Sequence, residues 1–356
     1  MNIITVRLDK RSYPVYIGGE IGNIGKIASD FNRGEKVLII SNGKVYGLYG
    51  EKVKNSLESS GFDVSLAKVP QGERYKSLSQ ALKLYNYCIQ HNLDRYSIIL
   101  ALGGGVIGDL AGFVASTYLR GINFVSFPTT LLAQVDASIG GKTAVNLPQG
   151  KNLVGSFYQP MFVYMNQEVL KTLPSREVKG GLAEVVKYGL IKDKELFLYL
   201  EKNLSCIKRL DEDSLQFIIS RSAKIKARVV EKDEREEKGE RQILNFGHTI
   251  GHAIEVVTEY KRYTHGEAVS VGMVAAGEIA VKMRIFPHNA LFRLKKLLED
   301  FGLPTEVKGL DKNRLWSALY RDKKRRGERI HFVLPKDIGE VFLTGDVPPR
   351  IVKSVL

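Results

Sequence analysis

The chain is poor in several residue types that would assign it to a large class at once. It has two cysteines in 356 residues, Cys88 and Cys206. Two cysteines make no disulfide framework, and neither stands at a metal-ligand spacing, so a reducing compartment, the cytoplasm, is expected. The N-terminal run MNIITVRLDKRSYPVYIGG lacks an apolar core, so no signal peptide is expected. The nearest mimic of a membrane span, Ser97–Thr117, carries four glycines ahead of Asp109 and breaks into strand, turn and helix. That pattern excludes a span. Acidic residues are in deficit, 39 against 53 basic, for a net charge of +14. The surplus raises nucleic acid as a partner, with Arg321–Arg329 (RDKKRRGER) as its footprint. That run has no interleaved aromatics and no nucleic-acid motif around it. The expectation is therefore a basic surface with a site for a phosphorylated anionic substrate, and no nucleic acid or membrane partner.

What is present has the plan of a two-domain enzyme. A length of 356 residues exceeds one ordinary core. Residues 1–17 alternate apolar and polar and predict a hairpin ending at Gly18-Gly19. Lys36–Ser41, Asp63–Val69, Ser97–Leu102 and Asn123–Phe127 read as buried strands, with helical stretches from Asn42-Gly43 to about Ser59 and up to about His91 between them. That alternation predicts an α/β nucleotide-binding domain with a parallel-rich sheet, over residues 1–170. Beyond Leu173-Pro174 strand patterns nearly vanish. Helical periodicity over Glu195–Leu204, Leu215–Val230, Ala268–Met283 and Ala290–Phe301 predicts an all-α second domain, 171–356. The charge-dense Asp233–Arg241 reads as a solvated helix end and turn.

Two stretches carry nucleotide or anion chemistry. Gly103, Gly105 and Gly108 stand at the G-x-G-x-x-G spacing, between the strongest buried strand and a helix. Glycines there let backbone N–H groups approach a pyrophosphate at a helix N-terminus. No acidic residue follows about 20 positions on at a strand end, as the standard fingerprint wants. The next strand ends instead in Pro128-Thr129-Thr130, whose hydroxyls offer hydrogen bonds. The second stretch, Gln134–Asn152, combines Asp136, Lys142, Asn146, Lys151 and Asn152 with paired glycines. It reads either as a loop of donors for anionic oxygens or as an exposed hairpin.

Three of the six histidines fall within Arg241–Glu267, at His248, His252 and His265. Neutral imidazole is a common ligand for a divalent metal. His248 and His252 are i, i+4 and share a helix face, so spacing alone makes them the pair. His265 serves equally as a helix-opening residue beside Gly266-Glu267. A carboxylate from elsewhere completes such a site. Glu184 is a candidate, on an otherwise apolar helix starting near Gly180, with Lys187 and Tyr188 at i+3 and i+4.

Taken in order, Gly72–Ser77, Gly103–Asp109, Phe127–Thr130, Gln134–Asn152, Gly180–Lys187, Arg241–Glu255 and Thr264–Glu267 resemble the 3-dehydroquinate synthase family over nearly the whole chain. The resemblance implies the conversion of 3-deoxy-D-arabino-heptulosonate 7-phosphate to 3-dehydroquinate and phosphate, a shikimate-pathway step, in a homodimer. It implies NAD and one divalent metal, zinc or cobalt, as cofactors. It places the metal on Glu184, His248 and His265, overruling the spacing argument for His252. It places substrate on Arg120, Asp136, Lys142, Asn152, Lys187, Lys226, Arg241, Asn245 and His252, with a late lysine at Lys323 or Lys324. Nucleotide contacts fall on Gln71, Gly72, Glu73, Arg74, Tyr75, Lys76, Gly105, Val106, Ile107, Gly108, Asp109, Thr129, Thr130, Lys142, Lys151, Val169, Leu170, Lys171 and Thr172. The alternatives are a metal-dependent glycerol or alcohol dehydrogenase and another sugar-phosphate cyclase.

Overall fold

The computed structural model describes residues 1–31, 34–321 and 330–356. The basic run after Arg321, with Lys323 and Lys324, lies outside them. The chain forms two compact units. The first is Met1–Leu173 with Lys226–Arg235, and the second is Pro174–Ile225 with Glu236–Leu356.

The first unit is built on a seven-stranded sheet. Its strands are β1 (Asn2–Val6), β2 (Tyr13–Ile17), β3 (Lys36–Asn42), β4 (Asp63–Val69), β5 (Ile98–Gly103), β6 (Asn123–Pro128) and β9 (Phe162–Met165). The order is β1-β2-β9-β6-β5-β3-β4. Only the β1/β2 hairpin is antiparallel. β5 is buried along its whole length, as a central parallel strand covered on both faces must be. Ile99 and Ala101 pack with Leu110, Ala111 and Val114 of the helix Gly105–Thr117. From β3 the chain steps outward to β4, then returns to β5 on β3's other side and continues to β6. The order therefore reverses between β3 and β5, and the crevice at their carboxyl ends, Asn42 and Gly103, is where such sheets take ligands.

Two further strands, β7 (Lys142–Leu147) and β8 (Gly150–Phe157), pair as a separate antiparallel hairpin. The stretch with two readings is thus a hairpin that also presents the donor-rich residues. The segment Lys226–Arg235 is fastened to this unit by Arg11 Nη2 to Glu234 Oε2 at 2.6 Å and Gln159 Nε2 to Glu234 Oε1 at 2.9 Å. Asp233 is 2% exposed, so the charge-dense stretch Asp233–Arg241 is not simply solvated.

The second unit is helical. The expected helices are present as Lys194–Lys202, Glu212–Lys232 (whose end, from Lys226, belongs to the first unit), His265–Lys282 and His288–Asp300, the last but one starting three residues earlier than its apolar period suggests. The helix bearing Glu184 starts at Ser175, not near Gly180, so the carboxylate sits mid-helix among buried neighbours. One hairpin, β10 (Phe332–Asp337) with β11 (Glu340–Thr344), stands among the helices without having been anticipated.

Helices Ser175–Lys192 and His265–Lys282 meet backbone to backbone. A Cβ on Gly266 would lie 2.3 Å from Gly180 O and 2.4 Å from Gly180 Cα. No side chain can move aside there, so only glycine permits the approach. The reverse is not true, since a Cβ on Gly180 meets nothing within 4 Å. Gly266→Ala is expected to lower stability by about 1–3 kcal/mol, as overpacked interiors do. Gly180→Ala should hold or slightly raise it through helix propensity. Urea unfolding of both variants checks this; equal midpoints would remove the contact from the argument.

Candidate active site

The sequence candidates assemble in two groups, one in each unit. In the first, Gly104 is the N-cap of the helix Gly105–Thr117, and no side chain caps it. Its first-turn N–H groups are left to an outside acceptor. A Cβ on Gly108 would meet nothing within 4 Å, and one on Gly105 only Ala137 Cβ at 3.7 Å. The surface over these two glycines is open to an anionic group. Gly103 serves packing instead, since a Cβ there would fall 2.7 Å from Ile107. Ile107 itself is core, whereas Val106 is half-buried. Thr129 N–H donates to Gly103 O at 2.9 Å, and Thr130 Oγ1 accepts from Ala133 N–H at 3.2 Å.

The loop after β4 comes to the same place. Gln71 is exposed, Gly72 takes φ 120, and Arg74 lies over the Tyr75 ring at 4.8 Å from its centroid. Lys76, 4% exposed, turns inward. Its Nζ pairs with Asp109 Oδ2 and donates to Asn152 Oδ1 at 2.5 Å. Burial pushes the Asp109 carboxyl up against the pull of Lys76. Val169 and Leu170 are core side chains, so they offer a ligand only backbone. Tyr49 OH donates to Val169 O at 3.1 Å and lies 2.5 Å from Thr172 Oγ1, while Lys171 is exposed and Lys151 half-buried.

Among the substrate candidates of this unit, Asp136 Oδ1 accepts from Lys226 Nζ at 2.6 Å. Lys142 is exposed at the start of β7. Arg120 is exposed with φ 66, and among the described residues no bond joins it to the other candidates.

In the second unit the cluster has a centre. Glu184, 0% exposed, sends Oε1 to within 3.5 Å of His248 Nε2 and 3.6 Å of His265 Nε2. Its Oε2 pairs with the buried Lys187. His248 comes from the helix His248–Val257, entered through Gly247 at φ 79, where a Cβ would strike Val269 O at 2.8 Å. His265 opens its helix inside a capping box: Glu267 N–H donates to Thr264 Oγ1, and Thr264 N–H to Glu267 Oε2. Arg176 grips the same Glu267 carboxylate at 2.7 and 2.8 Å. Glu267 therefore fixes the helix end that carries His265. His252 stands exposed, its ring edge-on to His248 at 5.4 Å between centroids. Arg241 is 2% exposed with Nε 3.4 Å from Glu236 Oε1, and Asn245 is exposed.

Sequence reasoning missed Glu255. It is 6% exposed, and its Oε2 lies 3.4 Å from His265 Nδ1. The signal was there: positions 248, 252 and 255 follow one helix face.

The donor set suits a divalent cation. His248 Nδ1 lies 3.1 Å from Phe246 O, so Nδ1–H donates and the Nε2 lone pair is aimed toward the Glu184 carboxylate. Lone pair and anion at 3.5 Å repel unless a positive centre joins them. The edges of a tetrahedron with bonds of about 2.0–2.1 Å are about 3.3–3.4 Å, close to both observed separations. Burial, outweighing the Glu184 charge, drops His248 to about 3, leaving it neutral as a ligand must be. Burial alone would lower His265 as well. The hydrogen bonds and charges of Glu184 and Glu255 lift it to about 10, a measure of the surplus negative charge there. Glu255 occupies the place of the carboxylate that orients a metal-bound imidazole.

Glu184→Ala or His248→Ala should leave no metal on the desalted protein by elemental analysis. Glu255→Gln should weaken metal binding about 10–100-fold in a chelator competition. Full metal content in Glu184→Ala would refute the ligand assignment.

Known proteins resemble this chain in both sequence and fold. The pattern for the 3-dehydroquinate synthase N-terminal domain matches residues 66–180, and that for the C-terminal domain matches residues 181–325. A 3-dehydroquinate synthase of Rippkaea orientalis is 49% identical over 99% of this chain and 98% of its own length. Among solved structures, a 2-epi-5-epi-valiolone synthase from Streptomyces hygroscopicus subsp. jinggangensis, with NAD+ and Zn2+ bound, superposes with a TM-score of 0.90 at 26% identity, covering 98% of this chain and 97% of its own. A 2-deoxy-scyllo-inosose synthase complexed with carbaglucose-6-phosphate, NAD+ and Co2+ gives 0.89 at 29%, covering 99% of both chains. With both halves matched in order and nearly half the residues identical from end to end, the chain belongs to the 3-dehydroquinate synthase family.

Proposed function

We propose that this protein is a 3-dehydroquinate synthase, converting 3-deoxy-D-arabino-heptulosonate 7-phosphate to 3-dehydroquinate and inorganic phosphate. The observation that carries this reading is the convergence of Glu184 with the Nε2 atoms of His248 and His265, in a chain 49% identical to a 3-dehydroquinate synthase over its length. The reaction is an oxidation, an elimination of phosphate, a reduction and an intramolecular aldol closure, with no net redox change. NAD over Gly105–Asp109 supplies a transient hydride acceptor, and a divalent cation, zinc or cobalt, on Glu184, His248 and His265 acidifies substrate hydroxyls.

The chain's own residues bind and orient. In the first unit Lys142, Asn152, Arg120 and Lys226 are donors suited to phosphate and carboxylate oxygens, with Asp136 holding Lys226 in place. In the second unit Arg241 and Asn245 have the same chemistry, Lys187 pairs with Glu184 and orients its carboxylate, and the exposed His252 stands ready to pass protons. The substrate's own phosphate takes the proton in the elimination, so no protein base is assigned to it. The nucleotide is held by the loop Gln71–Lys76, the turn Gly105–Asp109, Thr129, Thr130, Lys142, Lys151 and the segment 169–172. On the family resemblance, the enzyme is read as a cytoplasmic homodimer, which light scattering in solution checks for the dimer.

The purified protein should release phosphate from the heptulosonate, lose that activity to a chelator, and regain it with zinc or cobalt. Absorbance at 340 nm should show no NADH accumulating, either in that reaction or with glycerol and NAD. Sustained NADH production from glycerol would favour a dehydrogenase, and no phosphate release from the heptulosonate would favour another cyclase. Arg120→Ala should chiefly raise KM; unchanged kinetics would remove Arg120 from the site.

A further inference from the structure

Asn146 has no binding role in the assignments above, yet it bonds three residues that do, Glu73, Lys76 and Asn152. It lies where the β7/β8 ladder loses register, between the pairs Val145↔Val154 and Leu147↔Gly150. Across that gap β7 has one residue and β8 has three, Lys151, Asn152 and Leu153. Three residues of β8 therefore face one of β7, and the backbone at Asn152 takes φ 57. Such irregularities re-aim side chains beside binding sites. Asn146 holds the distortion in place. Its Oδ1 accepts from Asn152 N–H at 3.0 Å, its Nδ2 donates to Glu73 Oε1 at 2.8 Å, and its own N–H donates to Lys76 O at 2.8 Å. The amide orientation is fixed by chemistry, because a carboxylate can only accept and an N–H can only donate. Lys76 closes the ring through Asn152 Oδ1 and reaches Asp109 on the glycine-turn helix.

We infer that Asn146 is the positioning residue that ties the nucleotide loop (Glu73, Lys76) to the substrate donor Asn152, so that dinucleotide and substrate binding are coupled through one side-chain amide. The inference rests on the reading of the preceding subsection. An aspartate at this position keeps the acceptor for Asn152 N–H but sets a carboxylate against Glu73; an alanine removes both bonds. A hydrogen bond to a charged group is the stronger of the two, so the nucleotide side should feel the loss more.

The test measures NAD binding by titration of the metal-loaded protein and heptulosonate kinetics separately. Asn146→Ala should weaken NAD binding about tenfold and raise KM for the heptulosonate as well. Asn146→Asp should weaken NAD binding by as much while leaving KM within about twofold of the parent. Glu73→Gln added to Asn146→Asp restores a donor facing an acceptor and should recover most of the NAD affinity. Asn146→Ala with NAD binding and KM both at the parent's values would overturn the role. So would Asn146→Asp raising KM as far as Asn146→Ala does. If Asn146→Ala fails to fold, the near-isosteric Asn146→Asp and its Glu73→Gln rescue decide the matter alone. A parent protein that binds no NAD would sink the functional reading itself, whereas a parent that binds NAD and variants that bind it equally well sink only the role of Asn146.

Discussion

The second unit depends on one close approach. Gly180 and Gly266 put two helix backbones in contact, and Glu184 and His265 sit one turn and one residue away from that point. A side chain at Gly266 would push the helices apart by the width of a methyl group. The carboxylate and the imidazole would then no longer share a point in space. The rest of the cluster adds orientation to that distance. Gly247 turns the chain so that His248 faces Glu184, and the Thr264–Glu267 box with Arg176 fixes the helix end from which His265 projects. The geometry of the candidate metal site is therefore a consequence of backbone packing, with the ligating side chains placed upon it.

A second constraint runs through both units. Lys76, Lys187 and Lys226 are 4%, 1% and 6% exposed, and each is paired with a carboxylate, of Asp109, Glu184 and Asp136 respectively. An ammonium taken out of water keeps its charge only beside an anion. These pairs orient the lysines before any ligand arrives, which spares reorganisation when phosphate or carboxylate oxygens join them. Three of the chain's lysines are thus matched by carboxylates at the candidate sites, while Arg120 and Lys142 stand exposed there.

Much of the fold was legible because its elements obey simple periods. β5 is a continuous apolar run, and a run ending in Gly103-Gly104-Gly105 can hardly be anything but a buried strand feeding a tight turn. The helical half announced itself through apolar periodicity. The β10/β11 hairpin did not, because Pro335 within β10 argues against a strand, and a two-stranded ribbon tolerates it where a central strand would not. The role of Asn146 was illegible for a different reason. It depends on a register change in β8, and nothing in the spacing of Asn146 and Asn152 says which of the two leaves the ladder.

The histidines show where local geometry misleads. A pair at i, i+4 shares a face, and on that ground His248 and His252 looked like partners. Sharing a face does not decide which of the two another element reaches. Glu184 arrives at the His248 end of the helix, and His265 spans its face, with Nε2 3.6 Å from Glu184 Oε1 and Nδ1 3.4 Å from Glu255 Oε2, so His252 lies near His265 but away from the Glu184 carboxylate. His265 and Glu267, both in the first turn of one helix, divide in the same way. At the first helical position a side chain is free to project away from the axis, so His265 can reach Glu184. Two residues on, a glutamate folds back to the N-cap amide, so Glu267 is consumed by the helix end. Position within the first turn separates His265, which meets the cluster, from Glu267, which holds it still.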